Sequence, residues 1–87
     1  MSENNHVTGR QIAAGRTLAA LTQGDLANSA RVSIATLRRM EGADGPPPGM
    51  PNNVRAVIAA LETAGVEFID ANGGGPGVRL RSDGGGQ

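Results

Sequence analysis

The sequence predicts a mainly α-helical domain of four to five short helices, followed by a C-terminal β-hairpin. Apolar residues recur at helical spacing through residues 8–64, with hydroxyl or amide side chains where helices would begin. Beyond Gly65 the period falls to two, in β-rich pieces at 66–70 and 78–81 split by the Gly-rich run ANGGGPG. A chain of 87 residues has room for one small core.

Each element has a local reason. Residues 1–7 are polar and unpatterned, and a flexible N-terminal arm is expected there. The first helix runs from Thr8 or Gly9 to Leu21, with Ile12, Gly15, Leu18, Ala19 and Leu21 at approximate helical spacing. Gly15 inside it costs about 1 kcal/mol relative to alanine. Thr22 is placed to cap a second helix through its hydroxyl, and Asp25 puts a carboxylate in the first turn, complementing the helix dipole. Leu26, Ala27 and Ala30 give that helix a short apolar face. Ser33 caps a third helix, in which Leu37 and Met40 face inward while Arg38 and Arg39 point elsewhere. Gly42 is expected to stop it as a left-handed cap.

The run ADGPPPGMP at 43–51 predicts a stiff, extended connection, because its prolines oppose helix. Asn52 is then expected to cap a fourth helix, where Val54, Val57, Ile58 and Leu61 follow i, i+3, i+4, i+7 and Gly65 ends the run. In the hairpin Val66 and Phe68 share one face, as do Val78 and Leu80, with Glu67 opposite the arginines' side. A lone two-stranded hairpin is marginal in water, so it must pack on helix four or meet a second copy of itself. Residues 82–87 are expected to be a disordered tail.

Composition narrows the function. With no cysteine there is no disulfide framework, thiolate nucleophile or thiolate zinc site, and a lone His6 cannot build a histidine cluster or a catalytic triad. No apolar run approaches the roughly 20 residues of a membrane span, and no signal peptide opens the chain. The expectation is a cytoplasmic domain that is not an enzyme and needs no cofactor or metal. Net charge is near zero, yet residues 8–40 carry five arginines against Asp25 alone, whereas 41–70 carry Arg55 against five carboxylates. Such asymmetry hints at a polyanion-binding face, although scattered solvated charges give the same count. ANGGGPG lacks the lysine and following helix of a phosphate loop, and a β-turn explains it better.

Three short helices with the middle turn at Arg31-Val32-Ser33 have the spacing of a helix-turn-helix. Thr22-Gln23-x-x-Leu26-Ala27, Val32-Ser33-x-x-Thr36-Leu37 and Glu41-Gly42 together resemble the Cro/cI (XRE) repressor family over roughly residues 9–64. The tail also resembles a hairpin attached to some small bacterial members. The resemblance implies a domain at 8–64 that binds double-stranded DNA; the hairpin at 65–81 is expected to join two copies, because its apolar face and open strand edges would otherwise stay exposed.

Residue by residue, the likeness implies that Ser33, Ile34, Ala35 and Arg39 approach bases or flanking phosphates, and Arg38, on the same exposed side of the helix, is expected with them. Arg39 is the first choice as a base reader, since arginine on guanine O6 and N7 is the commonest specific contact. Arg38 is the alternative phosphate ligand. Gln23, with Thr22 and Arg31, is expected at phosphates, aided by the N–H groups that open helix two. Arg16 and Glu41 match positions that often form a salt bridge between helices one and three. Arg31 departs from the family's usual glycine in a left-handed turn, at a cost of about 1–2 kcal/mol. Residues 43–46 also lack the basic groups many relatives offer there, so a monomer should bind poorly and a homodimer is expected.

Val66, Phe68, Ile69, Val78 and Leu80 are the expected dimer interface, the alternative being a hairpin folded onto helix four of its own chain. The function implied is a sequence-specific transcriptional regulator reading a symmetric operator. The competing expectation is the same fold reused as a protein-interaction module, an antiactivator or adaptor with a regulatory protein as partner.

Overall fold

The computed structural model describes residues 6–81, in the order α1 (Gly9–Leu18), α2 (Gln23–Ala30), α3 (Ile34–Glu41), α4 (Pro51–Thr63), β1 (Val66–Ile69), β2 (Gly77–Leu80). The mainly helical architecture with a C-terminal antiparallel hairpin is as expected from the sequence. The core gathers Ile12, Leu26, Leu37, Met40, Val57, Ile58, Leu61 and Val66, all fully enclosed. Every helix and the first strand contribute to it, and the second strand packs the partly buried Val78 against it.

Val7 does not belong to the arm expected at 1–7. Residues 1–5, like the tail at 82–87, lie outside the described residues, but Val7 is buried in the core. Thr8 then opens α1 with a reciprocal capping box: its hydroxyl accepts from Gln11 N–H at 3.1 Å, and Gln11 Oε1 accepts from Thr8 N–H at 2.8 Å. The same helix stops at Leu18, three residues early. Leu21 N–H closes on the Arg16 carbonyl at 3.1 Å and Ala20 N–H on Thr17 at 3.0 Å, with Ala20 left-handed at φ 62°. That reversal frees Thr22 to be extended and cap α2.

Two further boundaries differ from the sequence reading. Gly42 is right-handed (φ −79°, ψ −5°), not left-handed, and α3 ends through a tightened turn in which Ala43 N–H bonds Met40 O at 3.2 Å. Asn52 does not cap α4. Met50 holds that place with no side-chain bond, and Pro51 is the first helical residue. Proline suits that position because its missing N–H would have had no helical partner and its φ is preset. Gly65 follows α4 with φ 101°, ending it as expected.

The hairpin pairs Val66 with Leu80, Glu67 with Arg79, Phe68 with Val78 and Ile69 with Gly77. Its apolar face turns onto α1 and α4 of the same chain. Gly15 allows this approach, since a Cβ there would sit 3.1 Å from a Val66 methyl. At the loop end of the strands the buried Gln11 amide donates from Nε2 to Ile69 O at 3.3 Å and Gly77 O at 3.0 Å. One side chain thus caps α1 and fastens the hairpin to it.

Candidate nucleic-acid interface

The face in question is built by α2, the turn after it, and α3. Thr22 accepts from Asp25 N–H at 2.9 Å while the Asp25 carboxylate accepts from Thr22 N–H at 3.0 Å. Hydrogen bonding to the carboxylate, by the Thr22 backbone N–H first and its hydroxyl second, holds the Asp25 carboxyl below the usual aspartate range. Ser33 caps α3 in the same way, accepting from Thr36 N–H at 3.0 Å. Between the helices Val32 N–H bonds Ala27 O at 3.0 Å, and Arg31 turns the chain at φ 61°, ψ 43°. A left-handed non-glycine residue is uncommon and costs about 1–2 kcal/mol.

The pattern of α3 then sorts its side chains. Leu37 and Met40 are fully enclosed, whereas Ser33, Ile34, Ala35, Arg38 and Arg39 are exposed together with Arg31. Ile34 is 42% exposed, and it stands one helical turn before Arg38 on α3. All five residues expected to contact bases therefore share one open surface. Arg38 and Arg39 also lie in the last turn of α3, where cations complement the dipole.

Behind this surface stands an ion pair. Arg16 Nε lies 2.7 Å from Glu41 Oε2 and its Nη2 3.2 Å from Oε1, a two-point contact between α1 and the end of α3. Arg16 also donates to the Leu21 carbonyl at 3.0 Å. The side chains are 19% and 7% exposed, so the pair is largely shielded from water and salt. Gln23 joins it, donating from Nε2 to Glu41 Oε1 at 3.0 Å and accepting from Arg38 Nε at 3.3 Å.

Several residues expected at the nucleic acid have internal tasks. The Thr22 and Ser33 hydroxyls cap helices, and the Gln23 side chain bridges Glu41 to Arg38. The hairpin residues depart further from expectation. Val66 is fully buried in its own chain and cannot form a dimer interface, and Phe68 and Val78 pack against the same core. Ile69 is half-buried, which leaves Leu80, 45% exposed, as the open member of the set. The apolar face had to be covered, and α1 with α4 cover it within the chain.

Sequence reasoning missed Gln11 and Val7. The signal for Gln11 was present as Thr8-x-x-Gln11, the spacing of a capping box. Its hold on the hairpin joins residues 58 and 66 positions apart, which no local pattern encodes. A shallow apolar groove of about 690 Å³ runs between α1 and β2, lined by Ala13, Ala14, Thr17, Leu18 and Val78. Among the described residues, no group of His, Asp and Glu side chains is placed to hold a metal ion, and no helix is long and apolar enough to cross a membrane. No protein-family model and no curated protein matches the chain.

Proposed function

We propose that the chain is a sequence-specific DNA-binding transcriptional regulator of Cro/cI-like (XRE) type, with no enzymatic activity and no cofactor. The observation that carries this is the sorting of α3: Leu37 and Met40 locked in the core, and Ser33, Ile34, Ala35, Arg38 and Arg39 on one open face. An α-helix so presented fits a major groove about 12 Å wide. Arginines supply guanine and phosphate contacts, while Ile34 and Ala35 offer only apolar surface for thymine methyls or sugars. Arg31, exposed in the turn before α3, flanks the helix as a further phosphate ligand.

Few cations surround α3. Arg10, on the nearby helix, is paired with Asp44 at 2.7 Å. One copy therefore gathers few phosphates, and two recognition helices about 34 Å apart on a symmetric operator would double the contacts. Because the hairpin's apolar face is covered, the surface for a second copy is the groove between α1 and β2, where Leu18 is 44% exposed. The scarcity of cations, with Asp44 just past α3, also favours a second reading, in which the α3 face docks a regulatory protein.

Selection from a randomised duplex pool at moderate salt separates the two. Enrichment of an inverted repeat is the result expected of a dimeric regulator. A pool that stays random after repeated rounds would leave the protein-interaction reading.

A further inference from the structure

We propose that Arg38, rather than Arg39, is the side chain of this face that reads a base, with Gln23 as its positioning residue; this rests on the DNA-binding reading above. The starting point is the Glu41 carboxylate, which can only accept hydrogen bonds. Arg16 engages both of its oxygens, and Gln23 Nε2 donates to Oε1 at 3.0 Å. The Gln23 amide is thereby oriented, nitrogen inward and carbonyl oxygen outward. That oxygen accepts from Arg38 Nε at 3.3 Å.

A guanidinium held at Nε keeps its two terminal nitrogens free on the opposite edge. Those nitrogens form the two-donor fork that matches O6 and N7 of guanine. Arg39 is held the other way round, with a terminal nitrogen 3.5 Å from Thr36 Oγ1 of its own helix. Its fork is partly turned back on the protein. Arg38 is also tethered through Gln23 to a shielded ion pair, so it gives up less freedom on binding than an untethered chain would. The chain Arg16, Glu41, Gln23, Arg38 runs from the interior to the surface, and each link is a hydrogen bond between side chains.

The test compares selected motifs for the wild-type chain, Arg38→Lys, Arg39→Lys and Gln23→Met. Lysine keeps the charge and removes the fork. Arg38→Lys and Gln23→Met should relax the same guanine position in each half-site, by about tenfold or more in preference, while Arg39→Lys leaves that position intact. Relaxation by Arg39→Lys, with Arg38→Lys weakening all sequences alike, would make Arg38 a phosphate ligand and overturn the assignment. A wild-type chain that enriches nothing overturns the DNA reading and this one with it. Proton exchange of the Arg38 Nε–H, read by NMR on the free protein, tests the tether alone. It should be slower than that of Arg39 and rise to match it in Gln23→Met, whereas equal exchange in the wild-type chain would refute the tether.

Discussion

The α2–α3 unit and the hairpin are each two elements joined by a turn, and α1 clamps both of them by different chemistry. At the end of α3 the clamp is ionic, Arg16 on Glu41 at 2.7 and 3.2 Å. At the hairpin it is a neutral amide, Gln11 on the carbonyls of Ile69 and Gly77. The two clamps sit five residues apart on one ten-residue helix. Their polar environments differ in consequence: the first lies behind an arginine-rich surface and fixes a charged residue there, the second caps α1 and holds strands in place. Outside its clamp the hairpin is held by Val66 in the core, by Phe68 and Val78 packed against it, and by the exposed Arg79–Glu67 pair at 2.6 Å, a type of pair that contributes about 0–1 kcal/mol.

Breaking the ionic clamp should have the largest effect. Glu41→Ala strands the Arg16 guanidinium in a site that is four-fifths shielded and removes the partner of Gln23. A loss of about 3–5 kcal/mol is expected in chemical denaturation, the usual cost of leaving one member of a buried pair. An unchanged denaturation midpoint would show that the pair is not formed in solution. Gln11→Ala comes next: it leaves two strand-end carbonyls and the Thr8 N–H without their partner, at about 1–3 kcal/mol. Here amide exchange should rise first in β1 and β2 and leave α2 and α3 protected. Uniform loss of protection would mean that the two clamped units are not separable.

Smaller effects sharpen the contrast within the first unit. Arg31→Gly removes a left-handed arginine and should stabilise the fold by about 1 kcal/mol, while lowering affinity for duplex DNA. A variant that is more stable and binds equally well would take Arg31 out of the interface. The smallest effect concerns Asp25, whose carboxyl is lowered in the folded state by Thr22. A lowered folded value means that the stabilisation is complete above the unfolded aspartate value and fades as pH falls through the folded one. The difference in thermal midpoint between wild type and Asp25→Asn should therefore shrink as the solution is made acidic, and a difference constant with pH would remove the carboxylate from the account.

What the sequence disclosed follows the same division. Elements set by local chemistry were legible: the caps Thr22 and Ser33, the inward Leu37 and Met40, and the strand periodicity after Gly65. The ion pair of Arg16 and Glu41 was accessible through the resemblance, and the left-handed Arg31 through its departure from it. Boundaries set by a turn further along the chain were not. The early end of α1 depends on Ala20 taking a positive φ, and nothing in an alanine announces that. The hairpin's partner was likewise hidden, because period-two apolar residues require a cover without specifying whether it is α1, α4 or another chain. Gln23 illustrates the limit within the site itself. Its amide satisfies Glu41 and Arg38 at once, a role visible only when three elements are in place.

The central claim is that the arginine face of α2 and α3 binds the phosphates and bases of duplex DNA. Fluorescence anisotropy of a labelled duplex, titrated at several salt concentrations with the wild-type chain and with Arg31, Arg38 and Arg39 each changed to alanine, tests it most directly. Binding should weaken steeply from low to moderate salt, and each phosphate-contacting arginine removed should flatten the logarithmic slope by about 0.9. Affinity indifferent to salt and to all three substitutions would contradict the account.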